Sequence, residues 1–195
     1  MERSDLEHSP GYYLEPGYIY LTKGSVVIRT VVGSCVAVCL WDRKLGYGGM
    51  NHFLRPIIRD AESATPKYGN VATIALITMM EEAGCEAKDI VGQILGGACP
   101  QDANEADMED AEEADMGDEK EADVGHENVA IARSVLQKKG IAIVSEDVGG
   151  NMGRKVVFDT ETGQLMTLKV HKIRDSDWMT GLSEKQYEDL CSRTS

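Results

Sequence analysis

The chain of 195 residues is 42% hydrophobic and has a formal net charge of −13 at pH 7. This length and apolar content suit one domain with a sizeable core, and no second domain is expected. No apolar run is long enough to span a bilayer and the N-terminus is polar rather than signal-like, so a cytoplasmic protein is expected. No basic stripe with interleaved aromatic residues favours binding to nucleic acid.

Composition predicts the boundaries of the domain. Residues 1–14 are expected to form a flexible N-terminus, residues 15–173 the folded domain, and residues 174–195 a C-terminal tail. Within the tail, Ser183 and Gln186 fit a capping box that opens a short helix through Leu190.

The stretch from Val31 to His52 predicts two neighbouring strands. Its first half is rich in β-branched residues with the alternation of a half-buried or fully buried strand, which Cys35 opens. Gly33, just before it, lets the backbone turn sharply, so that the thiol and nearby amide hydrogens face a cleft at the mouth of the strand. A polar, glycine-rich return follows, and Gly48–His52 runs back beside the first strand. Cys35 and His52, seventeen residues apart, are therefore expected to lie side by side.

The remaining elements mix helical and strand-like patterns. Hydrophobic residues at helical spacing predict helices over Asn70–Ala83 and Asn128–Lys139, each followed by a glycine. Strands are predicted over four further stretches: Asp89–Leu95, Ile141–Val144, Lys155–Phe158 and Gln164–Val170, the last two paired across a turn. This mixture predicts the α/β class, with a single layered domain in which mixed, largely antiparallel sheets pack with helices.

The negative charge is concentrated in one segment. Asp102–Asp123 holds twelve acidic residues and one lysine, so the rest of the chain is nearly neutral. Glu-Ala-Asp recurs in it every eight residues, and its high charge without aromatic residues predicts a disordered insert. The segment is interpreted either as a tolerated surface insertion or as an acidic gate that repels a receptor or partner from the site.

Cys35 and His52 are a candidate nucleophile and base. An imidazole can take the proton of a thiol and leave a thiolate, which attacks amides and esters. A packed strand cysteine is the plainer alternative, because cysteine is among the most buried residue types. A zinc site that includes Cys39 is another, but it needs a fourth ligand and usually closer cysteine pairs. Three further cysteines have no partner at a recognisable spacing, and an odd total of five predicts reduced thiols: Cys85, Cys99 and Cys191.

Several blocks resemble, in order, those of the chemoreceptor glutamine deamidase family, CheD. GSCVAVCLWD followed by GGMNHFLRP is similar to the signature segment of that family. The resemblance continues over roughly residues 15 to 170 through five later blocks: Lys67–Gly69, Ile94–Ala98, Val124–Asn128, Asp147–Asn151 and Gly153–Val156. It implies that Cys35 and His52 are the catalytic residues, and the implied reaction needs no metal or organic cofactor.

The resemblance also implies a threonine that helps to orient the histidine. It is expected six residues before the cysteine, where this chain has Arg29, and Thr30 is the nearest threonine. A shift of one residue on a strand points the side chain to the other face, so Thr30 fills the role only if a bulge absorbs the offset. The candidate catalytic residues are therefore Cys35, His52 and Thr30.

The function implied by the resemblance is hydrolysis of glutamine side-chain amides to glutamate on the cytoplasmic domain of methyl-accepting chemotaxis receptors. His52 would activate Cys35, and backbone amides between Gly33 and Val36 are the candidate oxyanion donors. The alternative is a non-catalytic binding module, since members of the family also engage CheC-type phosphatases of the response regulator CheY. The presence of both Cys35 and His52 favours an enzyme.

Overall fold

The computed structural model describes residues 11–99 and 119–171, with the side chains of the second segment from residue 124 onward. The strands are β1 (Gly11–Tyr13), β2 (Tyr18–Lys23), β3 (Val27–Val32), β4 (Val36–Asp42), β5 (Tyr47–Phe53), β6 (Ile90–Gly96), β7 (Ala142–Val148), β8 (Gly153–Asp159) and β9 (Leu165–Val170). The helices are α1 (Gly69–Glu82), between β5 and β6, and α2 (Glu119–Lys138), between β6 and β7. No helix in these two segments is long and apolar enough to cross a membrane.

The described strands form two sheets. One has five strands in the order β2-β5-β4-β6-β7, and the other has four in the order β1-β3-β8-β9. The pairs β6–β7 and β1–β3 are parallel, and the other five pairs of these described sheets are antiparallel. The predicted α/β class with mixed, largely antiparallel sheets is confirmed.

The five-stranded sheet lies between the helices and the four-stranded sheet. Because side chains alternate across a strand, β4 contributes to both cores. Val36, Val38 and Leu40 pack with residues of α1 and α2, whereas Ala37 and Cys39 pack with residues of β3 and β8. Burial of β4 on both faces explains its nearly continuous run of hydrophobic residues.

Helix α1 agrees with the predicted helix to within one residue at each end, but α2 begins nine residues earlier than expected. Its first five residues belong to the acidic segment. Their sequence, Glu-Lys-Glu-Ala-Asp, is rich in residues that favour helix, and its negative charges suit a helix N-terminus. The rest of that segment up to residue 118 lies outside the described residues. Its disorder stays a prediction.

The N-terminal boundary also differs from the expectation. Within the stretch predicted to be flexible, β1 pairs in parallel with the edge of β3, and Leu14 is fully buried between the sheets. Backbone pairing and burial of this leucine offset the entropy lost on ordering these residues. Residues 1–10 and 172–195 lie outside the described residues, so the C-terminal tail and its short helix stay predictions.

Candidate active site

The β4–β5 hairpin places Cys35 and His52 on the same face. His52 pairs directly with Ala37, and Cys35 lies two residues before Ala37, at the entrance to β4. The two residues are therefore diagonal neighbours, a relation in which Cα atoms lie about 7–8 Å apart and long side chains reach each other. Both belong to the layer between the two sheets, where Cys35 packs against the core that contains Ala37 and Met50.

Thr30 orients the imidazole of His52 through one of its two hydrogen bonds. Thr30 Oγ1 donates to the carbonyl oxygen of Leu14 at 2.8 Å, which uses its single hydrogen. The 2.8 Å contact between Thr30 Oγ1 and His52 Nδ1 therefore requires that Nδ1 carry a hydrogen and donate it. Nε2 is then the bare nitrogen; it is buried and has no hydrogen-bond partner among the described residues. The imidazole is in the tautomer that can accept the proton of a thiol.

Thr30, and not Arg29, is the residue that reaches His52. The pairing of β3 with β8 runs from Val27 to Val32 without a register shift, so Thr30 reaches His52 without the bulge on which its role was made conditional. Arg29 points to the opposite face, where its guanidinium lies over Gly11. The bend that joins β3 to β4 holds Gly33, Ser34 and Cys35.

The bend that carries Cys35 is attached to the loop after β6. The N–H of Ala98 donates to the carbonyl of Gly33 at 2.8 Å, and the N–H of Gly97 donates to the carbonyl of Cys35 at 2.9 Å. Gly96, with φ +109, approaches the Cys35 carbonyl so closely that a Cβ at this position would overlap with the oxygen. Glycine after β6 thus allows the loop to approach the backbone of Cys35 closely.

Asn128 of α2 joins the two halves of the site. Its side chain is fully buried, and Nδ2 donates to the carbonyl of Ser34 at 3.0 Å and to the carbonyl of Leu54 at 3.1 Å. One acceptor directly precedes Cys35, and the other follows His52 by two residues. No pattern in the sequence assigned a role to Asn128, although it continues the apolar face formed by Ala132 and Val135 at helical spacing. A buried amide on such a face was the available signal.

Burial sets the protonation of the pair. It lowers the pKa of His52 to about 4, and the Leu14 carbonyl opposes this change only in part. It also raises the pKa of the Cys35 thiol, and hydrogen bonding from the backbone of Gly33 and of Cys35 itself opposes that rise. Near neutral pH the thiol and the imidazole are therefore both uncharged, the resting form for general-base activation of a nucleophile.

Known proteins resemble the chain over most of its length. The family model named CheD, described as CheD chemotactic sensory transduction, matches residues 56–169. A probable chemoreceptor glutamine deamidase CheD of Sulfurimonas denitrificans is 38% identical over 160 residues, which cover 82% of this chain and 94% of that protein. The chain belongs to the CheD family. Proteins of the same name from Trichlorobacter lovleyi and Rhodospirillum rubrum are 36% and 38% identical, over 80% of this chain and 88% and 81% of their own lengths.

CheD membership confirms the resemblance read from the sequence blocks. The segment matched by the family model begins four residues after His52, so it includes Asn128 but neither Cys35 nor His52. For those two residues the hairpin register and the contact between Thr30 and His52 supply the geometry.

Cys35 differs from the other described cysteines in its access to solvent. It is half-buried, whereas Cys39, Cys85 and Cys99 are buried. Burial raises the pKa of the Cys85 thiol to about 12 and that of Cys39 further still. Within residues 11–99 and 119–171, no group of three or more His, Cys, Asp and Glu side chains lies close enough together to hold a metal ion.

Tyr13 is a second residue at the site that the sequence did not single out. Strand β1 brings it next to Thr30, whose side chain opposes the rise in the pKa of the phenol. Burial is the larger effect and raises that pKa to about 12. The phenol is therefore neutral at physiological pH and adds no negative charge near Cys35.

Proposed function

We propose that this CheD-family protein hydrolyses glutamine side-chain amides of chemoreceptors to glutamate, with Cys35 as the nucleophile and His52 as the base. One observation carries the mechanism: Thr30 holds His52 in the tautomer whose bare Nε2 lies on the face of the hairpin that also carries Cys35. The substrate class follows from relatives, 36–38% identical over most of their lengths, that are named chemoreceptor glutamine deamidases.

In the first step the Cys35 sulfur bonds to the amide carbon as His52 Nε2 takes the thiol proton. The carbonyl π electrons move to the oxygen, which becomes negatively charged. Backbone N–H groups of the bend, whose hydrogen bonding opposes the rise in the pKa of the thiol, are the candidate donors to that oxygen. Such donors stabilise charge that appears only during the reaction, and they therefore raise kcat.

In the second step the carbon–nitrogen bond breaks, and nitrogen leaves as ammonia with the proton that His52 had taken. A thioester remains on Cys35. His52 then takes a proton from water as its oxygen bonds to the thioester carbon, the carbon–sulfur bond breaks, and Cys35 regains its proton. The net reaction consumes one water, releases one ammonia and converts glutamine to glutamate without a metal or organic cofactor.

Exposed apolar side chains flank the His52 end of the site. Tyr18 pairs directly with His52 from β2 and is 57% exposed, and Leu54 follows β5 and is also exposed. Apolar groups exposed beside a reactive centre are typical of surfaces that bind another protein. They support a glutamine carried on a receptor, in preference to free glutamine, as the substrate.

The test is to incubate the protein with a purified receptor cytoplasmic fragment and to locate converted glutamines by mass spectrometry. We expect conversion at specific glutamines, with ammonia released in equal amount and little ammonia from free glutamine at the same concentration. Equal rates on free glutamine and on the receptor fragment would contradict the proposed substrate class. Receptors present this region in the cytoplasm, which is where we place the protein.

The alternative is a binding module that engages a CheC-type phosphatase, and that partner stays a prediction. If such a partner binds near Cys35, it competes with the receptor fragment and slows ammonia release. Full binding of both proteins at once, measured by co-sedimentation, would contradict a shared surface. A Cys35→Ala variant separates the two functions, because it retains binding and loses deamidation.

A further inference from the structure

The side-chain amide of Asn128 has only one orientation that fits its surroundings. Its two close neighbours are carbonyl oxygens, which can only accept, so the nitrogen must face both and supplies one hydrogen to each. The oxygen Oδ1 is buried and has no hydrogen-bond partner among the described residues. Helix formation does not call for this residue, since asparagine inside a helix is less favourable than alanine by about 0.7 kcal/mol. The role of the Asn128 amide is therefore to donate hydrogen bonds to these two carbonyls.

The first of these carbonyls controls the direction of a backbone N–H at the reactive centre. The carbonyl of Ser34 and the N–H of Cys35 belong to one trans peptide group, in which they point in opposite directions. Because Asn128 holds the carbonyl toward α2, the N–H is directed away from α2. That N–H belongs to Cys35 itself, whose sulfur is the atom to which the substrate carbon bonds.

The second carbonyl ties the same amide to the strand of the base. Leu54 follows His52 by two residues, and its carbonyl accepts from Asn128 at 3.1 Å. One side-chain group therefore spans the bend of the nucleophile and the end of β5. The loop after β6 also holds the bend, through hydrogen bonds to the carbonyls of Gly33 and Cys35.

We propose that Asn128 is a positioning residue that aims the N–H of Cys35 at the oxygen on which negative charge forms during attack. The inference rests on the deamidation proposed above for its biological reaction. Asn128 acts on the charged tetrahedral intermediate and does not help to form the thiolate. Its loss should therefore slow reactions at a carbonyl carbon and spare reactions of the same sulfur that form no oxyanion.

Two small reagents separate these cases on the intact protein. With p-nitrophenyl acetate, the Cys35 sulfur bonds to the ester carbon, an oxyanion forms, the carbon–oxygen bond breaks, and p-nitrophenolate leaves while His52 takes the thiol proton. With iodoacetamide, the same sulfur displaces iodide from a saturated carbon, and no oxyanion forms there. Both reactions need the same thiol, the same base and the same access.

We expect Asn128→Ala to slow acylation of Cys35 by about tenfold to a hundredfold, the usual range for loss of one oxyanion donor or somewhat below it. The rate of alkylation by iodoacetamide, followed across neutral and alkaline pH, should stay within about twofold of wild type, with an unchanged pH profile. On a receptor fragment kcat should fall with the acylation rate while KM changes little.

A parallel loss of acylation and alkylation would overturn the inference in favour of a merely structural role, and so would full retention of acylation. If Asn128→Ala does not fold, Asn128→Gln replaces it, because it keeps both hydrogens but displaces them by one methylene and should show the same selective loss. Asn70→Ala is the matched control: the Asn70 amide also clamps a loop, at the N–H and carbonyl of Ile58, without contact to the bend of Cys35. Both of its rates should stay at the wild-type level.

The proposed function and this inference can fail separately. If the wild-type protein releases no ammonia from receptor fragments, the proposed function fails, and the ratio of acylation to alkylation still decides the role of Asn128. If deamidation proceeds but the ratio does not change in Asn128→Ala, only the inference fails.

Discussion

The base and the nucleophile of this site are held in different ways. On the base side, consecutive side-chain hydrogen bonds link Leu14, Thr30 and His52, all in or beside strands. On the nucleophile side, Cys35 lies in a bend whose backbone carbonyls are held by a distant loop and by Asn128. The side chain of the base is therefore oriented directly, and that of the nucleophile only through its backbone. Changes on the base side should alter proton transfer, whereas changes on the nucleophile side should alter charge stabilisation.

Removal of either the nucleophile or the base should abolish deamidation, because the reaction needs both groups. We expect Cys35→Ala and His52→Ala each to lower ammonia release from a receptor fragment by at least about a thousandfold. Cys39→Ala is the matched control, because this cysteine faces the same core but is fully buried and four residues further along β4. The Cys39→Ala variant should be less stable but should release ammonia at the wild-type rate. Ammonia release near the wild-type rate by Cys35→Ala would refute the proposed enzymatic function.

Loss of the hydroxyl that orients the base should have the next largest effect. Thr30→Val leaves the Nδ1 hydrogen of His52 without its acceptor, and a buried unpaired donor costs about 1–3 kcal/mol, so kcat should fall by about tenfold to a hundredfold. Thr30→Ser keeps the hydroxyl and should retain most of the rate. Equal activity of the two variants, measured as ammonia release with each fold checked by circular dichroism, would show that orientation of His52 does not depend on Thr30.

A smaller loss is expected from crowding the bend of the nucleophile. Gly96→Ala puts a Cβ against the Cys35 carbonyl, and displacement of the bend should lower kcat by about tenfold. Gly140→Ala, also at positive φ (+70) but with nothing within 4 Å of the added carbon, separates backbone strain from this overlap. It should cost about 1 kcal/mol of stability with no change in kcat. The comparison fails if both variants lose activity equally.

The smallest effect on rate is expected from pH. Because burial lowers the pKa of His52 to about 4, kcat/KM should be flat from about pH 5.5 to 8 and fall only in more acidic solution. A profile that instead bends near pH 6.5, the ordinary value for histidine, would place the imidazole in contact with water.

Stability gives a second measure of the same burial. The unfolded chain takes up a proton on His52 near pH 6.5 and the folded chain only near pH 4, so this contribution is intact above pH 6.5 and is lost as the pH falls toward 4. The loss amounts to about 3 kcal/mol. Urea unfolding at several pH values should show it in the wild type and a flatter dependence in His52→Gln.

The local part of this site could be predicted from the sequence. Alternation of residues along β4 and the length of the return place His52 opposite Ala37, and both depend on contacts within one hairpin. Helix α1 follows from hydrophobic spacing and a terminal glycine for the same reason. Thr30 was chosen over Arg29 because the resemblance implies a threonine. The strand pattern by itself could not support that choice, because it specifies alternate faces but not which residue of a neighbouring sheet meets the imidazole.

Contacts between distant parts of the chain were beyond sequence reasoning. Asn128 is 94 residues from Ser34 and 74 from Leu54, and no periodicity relates them. The pairing of β1 with β3 and the approach of Gly96 to Cys35 likewise depend on how the two sheets and the loops pack together. A glycine pair or an amide on an apolar helix face indicates that such a contact exists, but not which residue lies on its other side.

The raised pKa of the Cys35 thiol also affects how long the protein stays active in the presence of peroxides. Peroxides react with thiolates, and the susceptibility of a cysteine follows its thiolate character and its exposure. A sulfur that remains protonated until substrate arrives is oxidised slowly between turnovers, although it is partly open to solvent. We therefore expect the protein to keep its activity for a long time under oxidative stress while still being able to cleave an amide.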